Sequence, residues 1–509
     1  RAGGRDASPW LIGVAWVWAN VHLSYPLGLA VLGCHALDDR WPHAGDPRGG
    51  PRLRLAGIGL AAVAVSFLNP FGWRALWQPF EYLLTLRHEI IFLEIGELRP
   101  VEWASNVWNG LPLLVAAWPL LALWRWRRAG FDRVETFMLV TFIGIGLWSQ
   151  RFLGFLAIAA APYVARDLDA WLAGARWRAA LRGRRRMAPA GRAAVAACAC
   201  VALSLPEWLL SPYTPGLGFS LADMPVAACD FMSAHGVRGR GYNPFHFGGY
   251  LLWRFWPERA RLPFMDIHQT GTPEDRALAG AAFWDAAAYR RLMARHAFDY
   301  ALVDRETPAQ FPMLDFFDRD PTWTLVFTDD VAALYVRRAG PLAAIADSFA
   351  YRAWPAGFGA LGPLYRRYAA DSSWRALADA ELARQVASSP RNATARFFTA
   401  NLALLEGRAG DAERELRAAL AVAPWLPRAH FHLGTLALDA GRPREAAREF
   451  EREQRSDDHG AGTAMPIARA WAQYGDREQA RRWYRRALRG PDGPAARDSL
   501  ATLERGPKP

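Results

Sequence analysis

Three segments near the C-terminus repeat one pattern at a fixed spacing: GRAGDAERELRAA at 407–419, GRPREAAREFERE at 441–453 and GDREQARRWYRRA at 475–487. Each segment begins with glycine, starts 34 residues after the previous one and has alanine five residues further on. A large residue follows nine residues after each glycine: Leu416, Phe450 and Tyr484. The pattern indicates a repeated helix pair, because small residues let two helices approach and a large residue fills the space between successive pairs.

The 34-residue period resembles that of tetratricopeptide repeats, and two further features fit the same family. Pro424 lies where a repeat should end, and Leu433 and Gly434 occupy the large and small positions of a first helix. We therefore assign 390–509 to an all-α tetratricopeptide-repeat solenoid. Such arrays present a concave surface to a peptide or protein, so we expect a protein partner on the repeats.

The first 211 residues contain a series of apolar stretches: 21–37, 53–68, 107–124, 136–150, 152–165 and 190–210. A membrane-spanning helix needs about 20 mostly apolar residues, and arginine-rich loops favour the cytoplasmic side. Arginines concentrate at 125–135 and 166–192, whereas 70–106 has five glutamates and three arginines. This pattern predicts an α-helical polytopic membrane domain of about six spans at 1–211. It also predicts a multi-pass protein of a bacterial inner membrane with all later residues in the periplasm.

Polarity rises after Pro212, and short β-like runs alternate with helical stretches. We predict a small extramembrane α/β domain at 212–338, followed at 339–389 by a linker with room for a degenerate helical repeat. The predicted fold is therefore multi-domain, with membrane, α/β and solenoid parts. The predicted strands are Gly239–Asn243, Arg261–Asp266, Asp299–Asp304, Trp323–Phe327 and Ala332–Val336.

Polar side chains follow two of these predicted strands around the glycine pair at 248–249. Ligand sites of α/β domains form at the ends of strands, next to such turns. The sequence thus offers a substrate-binding site at the strand ends, although the same groups could equally serve a turn and tie loops together. The candidate residues are Asn243, His246, Tyr250, Asp266 and His268.

Several short motifs resemble the GT-C superfamily of membrane glycosyltransferases, in particular its dolichyl-phosphate-mannose and oligosaccharyltransferase-like members. They are WANVH at 18–22, NPFGW at 69–73, QRFLGFLAIAAAP at 150–162 and the segment 243–266. The Trp-Trp-Asp of the oligosaccharyltransferase motif is missing before the glycines. The resemblance implies transfer of a sugar from a polyprenyl-phosphate donor on the periplasmic face, with membrane lipid and lipid-linked sugar as partners.

The catalytic acid of that family lies in its first extramembrane loop, which we expect upstream of Arg1, so the catalytic residue of this chain is unknown. The candidates within the chain are Glu94 and Glu97. Arg151 could hold a lipid phosphate and His22 could contact substrate. A hairpin-capping salt bridge for Arg151 and simple packing for His22 are equally open. The resemblance alone implies a divalent metal, and no cofactor is identifiable otherwise.

The chain lacks a phosphate-binding loop of the GxxxxGK[ST] type, an HExxH motif and paired CxxC motifs, so no metal site is predicted from the sequence. Arginine accounts for 60 of the 61 basic residues, and many of them lie in the predicted inner loops, so the net charge of +12 does not indicate nucleic-acid binding. Two functions remain: a glycosyltransferase-like enzyme whose repeats recruit a protein, or a non-catalytic, membrane-anchored repeat scaffold of the cell envelope. A solute transporter is less favoured.

Overall fold

The computed structural model describes most of the chain, and it divides into two compact units, Arg1–Gly218 and Phe219–Pro509. The described part of both units is mainly helical, and the second unit contains a four-stranded sheet. The described residues are 7–41, 54–89, 95–107, 110–174, 220–266, 271–305, 312–456, 463–490, 492–505 and a few positions between 194 and 205.

The helices of the first unit are interrupted by polar turns. Ser149, for example, is extended and ends one helix just before the next begins. A buried cluster that includes Trp118, Phe142 and Leu156 holds several of the helices together. The helices are α1 Trp10–Val21, α2 Tyr25–Asp38, α3 Arg54–Ser66, α4 Trp73–Leu84, α5 Trp103–Asn106, α6 Leu111–Ala129, α7 Arg133–Trp148 and α8 Leu153–Gly174.

These helices correct the prediction for the first 211 residues. Within the described ranges, none of them is both long enough and apolar enough to cross a bilayer. The longest, α8, has 22 residues but contains Arg166, Asp167 and Asp169. The predicted polytopic membrane domain is therefore wrong, and so are the multi-pass inner-membrane localisation and the periplasmic side derived from it. The last predicted span, 190–210, lies largely outside the described residues.

Two of the arginines that marked the predicted inner loops, Arg125 and Arg166, have carboxylate partners inside the unit. Arg125 and Arg166 both contact Asp167, at 3.2 and 2.7 Å. Arg166 also pairs with Glu135, whose carboxylate accepts a hydrogen bond from the Trp118 indole at 3.2 Å. These ion pairs raise the pKa of Arg166. The arginines therefore neutralise buried carboxylates between α6, α7 and α8, which a count of loop charges cannot reveal.

The sheet of the second unit has the order β1-β2-β4-β3, with β1 parallel to β2 and the other pairs antiparallel. The strands are β1 Gly241–Tyr242, β2 Tyr300–Asp304, β3 Trp323–Thr328 and β4 Ala332–Arg337. The last two agree with the predicted strands Trp323–Phe327 and Ala332–Val336, and they pair as a hairpin. The helices around the sheet are α9 Val226–Ala234, α10 Gly248–Phe255, α11 Pro273–Ala282, α12 Ala286–His296, α13 Met313–Arg319 and α14 Ala343–Phe349.

The strand predicted at Arg261–Asp266 does not form. Arg261 ends a short turn of 3-10 helix and is buried, because its guanidinium donates to the carbonyls of Val237 (2.9 Å) and Met232 (3.0 Å). The chain then runs past the end of β1 without joining the sheet. A buried arginine that serves backbone carbonyls thus replaces the expected ladder of strand hydrogen bonds.

The rest of the unit consists of paired helices. The second helices of the three repeated pairs begin at residues 409, 443 and 477, and Gly407, Gly441 and Gly475 precede them with φ of 73°, 69° and 96°. Such φ values favour glycine, which explains its recurrence. The helices are α15 Leu361–Ala370, α16 Ser372–Ser388, α17 Ala393–Leu405, α18 Ala409–Val422, α19 Ala429–Asp439, α20 Pro443–Ser456, α21 Ala464–Tyr474, α22 Arg477–Ala487 and α23 Gly493–Arg505.

The turn between β3 and β4 fastens the sheet to the paired helices. Asp330 accepts hydrogen bonds from the backbone N–H groups of Ala393 (2.6 Å) and Thr394 (2.9 Å), the first two residues of α17. Asp329 accepts one from the hydroxyl of Ser389 at 2.7 Å. The hairpin therefore supplies the N-terminal cap of α17, whose own residue Asn392 makes no side-chain cap.

A connector at 350–360 runs between the α/β domain and α15 and is held by carboxylates from both sides. From the helical side, buried Glu381 accepts the N–H groups of residues 352, 353 and 354 at 2.7–3.1 Å. From the α/β side, Asp318 accepts those of Ala356 and Gly357, and Asp315 accepts that of Gly359. Burial nevertheless raises the pKa of Asp318.

Candidate functional site

Of the candidates in the first unit, Glu97 and Arg151 lie in a contact at the surface. Glu97 and Arg151 make an ion pair at 3.2 Å, with side chains 57% and 43% exposed. Ser149 and Gln150 donate hydrogen bonds to the carbonyls of Glu97 and Arg99. Together with the ion pair, these bonds hold residues 97–99 against the turn between α7 and α8. Glu94 lies outside the described residues. The predicted lipid-phosphate role of Arg151 stays a prediction.

His22 takes part in a local turn. Its Nδ1 accepts the backbone N–H of Ser24 at 3.0 Å and lies 2.7 Å from the Ser24 hydroxyl. The same hydroxyl accepts a hydrogen bond from the Trp18 indole at 3.1 Å. His22 thus connects the end of α1 to the start of α2, and its predicted contact with substrate stays a prediction.

In the second unit, Asn243 immediately follows β1, and its side-chain amide is hydrogen-bonded to the backbone. Its Nδ2 donates to the carbonyls of Met265 (2.7 Å) and Pro244 (2.9 Å), and its Oδ1 accepts the N–H of Phe264 (2.8 Å). With both donor positions and the oxygen engaged, this amide holds residues 264–265 against the end of β1. Asn243 therefore positions the backbone at the strand end.

His246 and Asp304 meet at the carboxyl ends of the two parallel strands. His246 Nε2 lies 3.7 Å from Asp304 Oδ2, and Asp304 is the last residue of β2. Desolvation lowers the pKa of His246, and the nearby carboxylate opposes this effect only in part. The side chains of His246 and Asp304 are 45% and 16% exposed, so solvent reaches the pair.

Two of the remaining candidates, Tyr250 and Asp266, lie in other surroundings. Tyr250 belongs to the apolar core of the α/β domain, where burial raises its pKa. Asp266 is buried beside the segment that Asn243 holds, and His268 lies outside the described residues. Asp304 was missed by the sequence interpretation. The sequence did contain an indication: Asp304 ends the predicted strand 299–304, just as Asn243 ends the predicted strand 239–243.

The described residues contain no group of three or more His, Cys, Asp or Glu side chains that could hold a metal ion. His246 and Asp304 together provide two ligand side chains, fewer than the three protein ligands typical of a catalytic zinc. These residues do not fit the divalent metal that the family resemblance implies, and that cofactor stays an untested prediction.

The close approach of α10 to the segment after Phe264 can be tested by a pair of alanine substitutions. A Cβ added to Gly248 would lie 2.2 Å from the Met265 carbonyl oxygen, whereas one added to Gly249 would meet nothing within 4 Å. Gly248→Ala should therefore lower the free energy of unfolding by about 1–3 kcal/mol. Gly249→Ala should raise it by up to about 1 kcal/mol. Urea denaturation measures the free energy of unfolding of both variants. Equal changes in the two variants would contradict the close contact between Gly248 and the Met265 carbonyl.

The paired helices carry a groove of about 570 Å³ beside α20. Its two glutamates are already neutralised, since Glu445 pairs with Arg442 at 2.8 Å and Glu449 pairs with Arg452 at 2.7 Å. Arginine is the most frequent residue in the wall. We call this feature the arginine groove, lined by Arg442, Pro443, Arg444, Glu445, Arg448, Glu449, Arg452 and Tyr474.

A further cavity, of about 440 Å³, lies between α1, α2, α7 and α8 in the first unit. Its wall is almost entirely apolar, and its polar groups are few: Trp18, Tyr25, His35 and Tyr163. The cavity therefore offers little that could orient or activate a polar substrate.

Comparisons with known proteins give little further guidance. No protein-family model matches the chain, and no curated protein matches it. A solved structure with partial similarity is the crystal structure of MamA protein, with 18% sequence identity and a TM-score of 0.23 over 25% of this chain and 69% of that one. A similarity at this level carries no argument about function. The resemblance to GT-C glycosyltransferases stays a prediction, and the membrane domain that it requires is contradicted.

Proposed function

We propose that this chain is a protein-binding scaffold whose paired helices hold a segment of a partner protein. The observation that carries the proposal is the continuous array from α15 to α23. Each apolar cluster of the array includes residues from successive helix pairs, such as the one around Phe398 and the one around Phe450. Arrays built in this way present an extended, preformed surface to a peptide or protein.

Ion pairs between neighbouring second helices support the proposal, because they connect successive helix pairs of the array. Arg417 of α18 contacts both Glu413 (2.7 Å) and Glu445 of α20 (2.8 Å), and Arg442 reaches back to Glu413 at 2.8 Å. The bonds from Arg442 and Arg417 lower the pKa of Glu413. A preorganised surface loses less conformational entropy when it binds.

The enzymatic hypothesis has less support from the described residues. Glu97 and Arg151 are paired at an exposed surface, Asn243 is committed to the backbone, and Tyr250 is in the core. His246 and Asp304 lie 3.7 Å apart at the strand ends. A transferase also needs groups that position a donor and an acceptor, and the candidates that the structure describes are spread over separate contacts.

The scaffold proposal is tested by selecting random displayed peptides on the whole chain and on two leucine variants. A Cβ at Gly434 would lie 2.6 Å from the Phe450 ring, whereas one at Gly410 would meet nothing within 4 Å. Gly434→Leu should separate α19 from α20 and weaken binding of the selected peptides at least about tenfold. Gly410→Leu should leave them unchanged. Failure to select any peptide, or equal binding to both variants, would contradict the proposal.

A further inference from the structure

We propose that the arginine groove binds an acidic segment of the partner in extended conformation, with Asp or Glu at alternate positions. This inference rests on the proposed scaffold function and adds the chemistry of the ligand. It depends on three features of the groove: the charges left uncompensated, their spacing along α20, and the hydrogen-bonding geometry of the guanidinium group.

The uncompensated charges belong to Arg444 and Arg448. Both are exposed, and among the described residues no carboxylate lies within ion-pairing distance of either. The Arg444 guanidinium lies 5.6 Å from the centre of the Tyr474 ring. The ring is uncharged, so this contact does not neutralise the charge of the arginine. The groove therefore has two cationic groups available for a ligand.

The two acids of the groove cannot serve these arginines as partners. Glu445 is held between Arg442 and Arg417, both at 2.8 Å. Glu449 is held by His430 at 2.6 Å as well as by Arg452, and these contacts lower its pKa despite its burial. Each carboxylate is thus committed to a partner within the array. A ligand carboxylate would meet arginines without displacing an existing ion pair.

The spacing of the arginines suits an extended chain. Residues four apart on a helix lie on one face, separated by about 6 Å along its axis. Side chains on one face of an extended peptide are about 6.7 Å apart, since every second residue points the same way. Two carboxylates at alternate positions of the ligand can therefore face Arg444 and Arg448 together.

The side-chain chemistry favours carboxylates over nucleic acid. A guanidinium donates two parallel hydrogen bonds to one carboxylate, which gives direction as well as charge. Single-stranded nucleic acid is held by a basic groove combined with free aromatic faces on which bases stack. Tyr474 is the single aromatic residue in the wall of this groove, so successive bases would find no second ring on which to stack. The acidic peptide is therefore the ligand that these residues fit.

The test compares two charge reversals at equivalent positions of neighbouring helix pairs. Arg448 lies in the groove, and Arg482, which is 34 residues later in the chain, lies outside it. Like Arg448, Arg482 is exposed and has no carboxylate partner in the described part of the chain. The probe is a fluorescein-labelled peptide of alternating Glu and Ser, and binding is followed by fluorescence anisotropy on the whole chain.

We expect Arg448→Glu to weaken binding of this probe at least about tenfold, and Arg482→Glu to change it less than about twofold. Added salt should weaken the wild-type complex, because the contacts are ionic and partly exposed. Thermal melting of each variant checks that the array remains folded. The same loss in both variants would overturn the inference, and so would tighter binding of a poly-thymidine oligonucleotide than of the peptide.

The outcome also separates this inference from the scaffold proposal. If displayed peptides bind the repeats but carry no acidic residues, or bind equally well to Arg448→Glu, the acidic-ligand inference is wrong while the scaffold proposal stands. If no displayed peptide binds at all, the scaffold proposal is wrong, and the inference is wrong with it.

Discussion

Replacing Arg305 by leucine should lower the free energy of unfolding of the unit Phe219–Pro509 by about 3–5 kcal/mol. Arg305 is 4% exposed, and its guanidinium donates to the carbonyls of Asp329 (2.7 Å) and Ala356 (3.0 Å). Burial lowers its pKa, and the surrounding carboxylates, led by that of Asp330, oppose this change. The leucine would leave both carbonyls without this donor and remove the positive charge beside the carboxylates.

Arg338→Leu is the matched control, because Arg338 is an exposed arginine of the same unit. It should change the free energy of unfolding by less than about 0.5 kcal/mol. Urea denaturation, followed by tryptophan fluorescence, measures both variants. A loss below about 1 kcal/mol for Arg305→Leu would show that the buried arginine does not hold the hairpin turn and the connector together as described.

Glu381→Ala should be the second strongly destabilising change, with a loss of about 3 kcal/mol or more in the free energy of unfolding. The Glu381 carboxylate is 4% exposed and accepts three backbone N–H groups of the connector, at residues 352, 353 and 354. Hydrogen bonds to a charged acceptor contribute more than neutral ones, and alanine would leave the donors at 353 and 354 buried without it.

A glutamine variant distinguishes lost hydrogen bonds from lost packing. Glu381→Gln keeps the shape and one acceptor oxygen, which can still serve two of the three donors. Its stability should therefore fall between those of the wild type and of Glu381→Ala. Glu478→Ala, which removes an exposed carboxylate of α22, should change stability by less than about 0.5 kcal/mol. Glutamine and alanine variants of equal stability would contradict the role of the carboxylate.

The paired helices were predictable because their constraints are local and periodic. Gly407 must be glycine for its backbone conformation, Ala412 must be small to be fully buried, and both constraints recur every 34 residues. The hairpin of β3 and β4 was also predictable, since its two apolar strands and the turn between them are close in the chain. Such features need no knowledge of distant partners.

The first unit was misinterpreted for the opposite reason. Apolar content and arginine clusters are averages over a segment, and they do not record where a helix stops or which carboxylate an arginine meets. Asp167 lies next to Arg166 in the chain but also pairs with Arg125, which is 42 residues away. The contact between His246 and Asp304 was hidden in the same way, because a parallel strand pair joins residues that are distant in sequence.

Because Asp330 caps α17, the paired helices are not a detachable module. A fragment starting near residue 390 would lack the acceptor of the Ala393 and Thr394 N–H groups, and its first helix would fray. If the binding site of a partner were mapped with such fragments, removing the sheet would abolish binding. The sheet would then be taken for the binding site, although it need not contact the partner. Point substitutions in the whole chain avoid this error, because they leave the contact between the hairpin and the start of α17 intact.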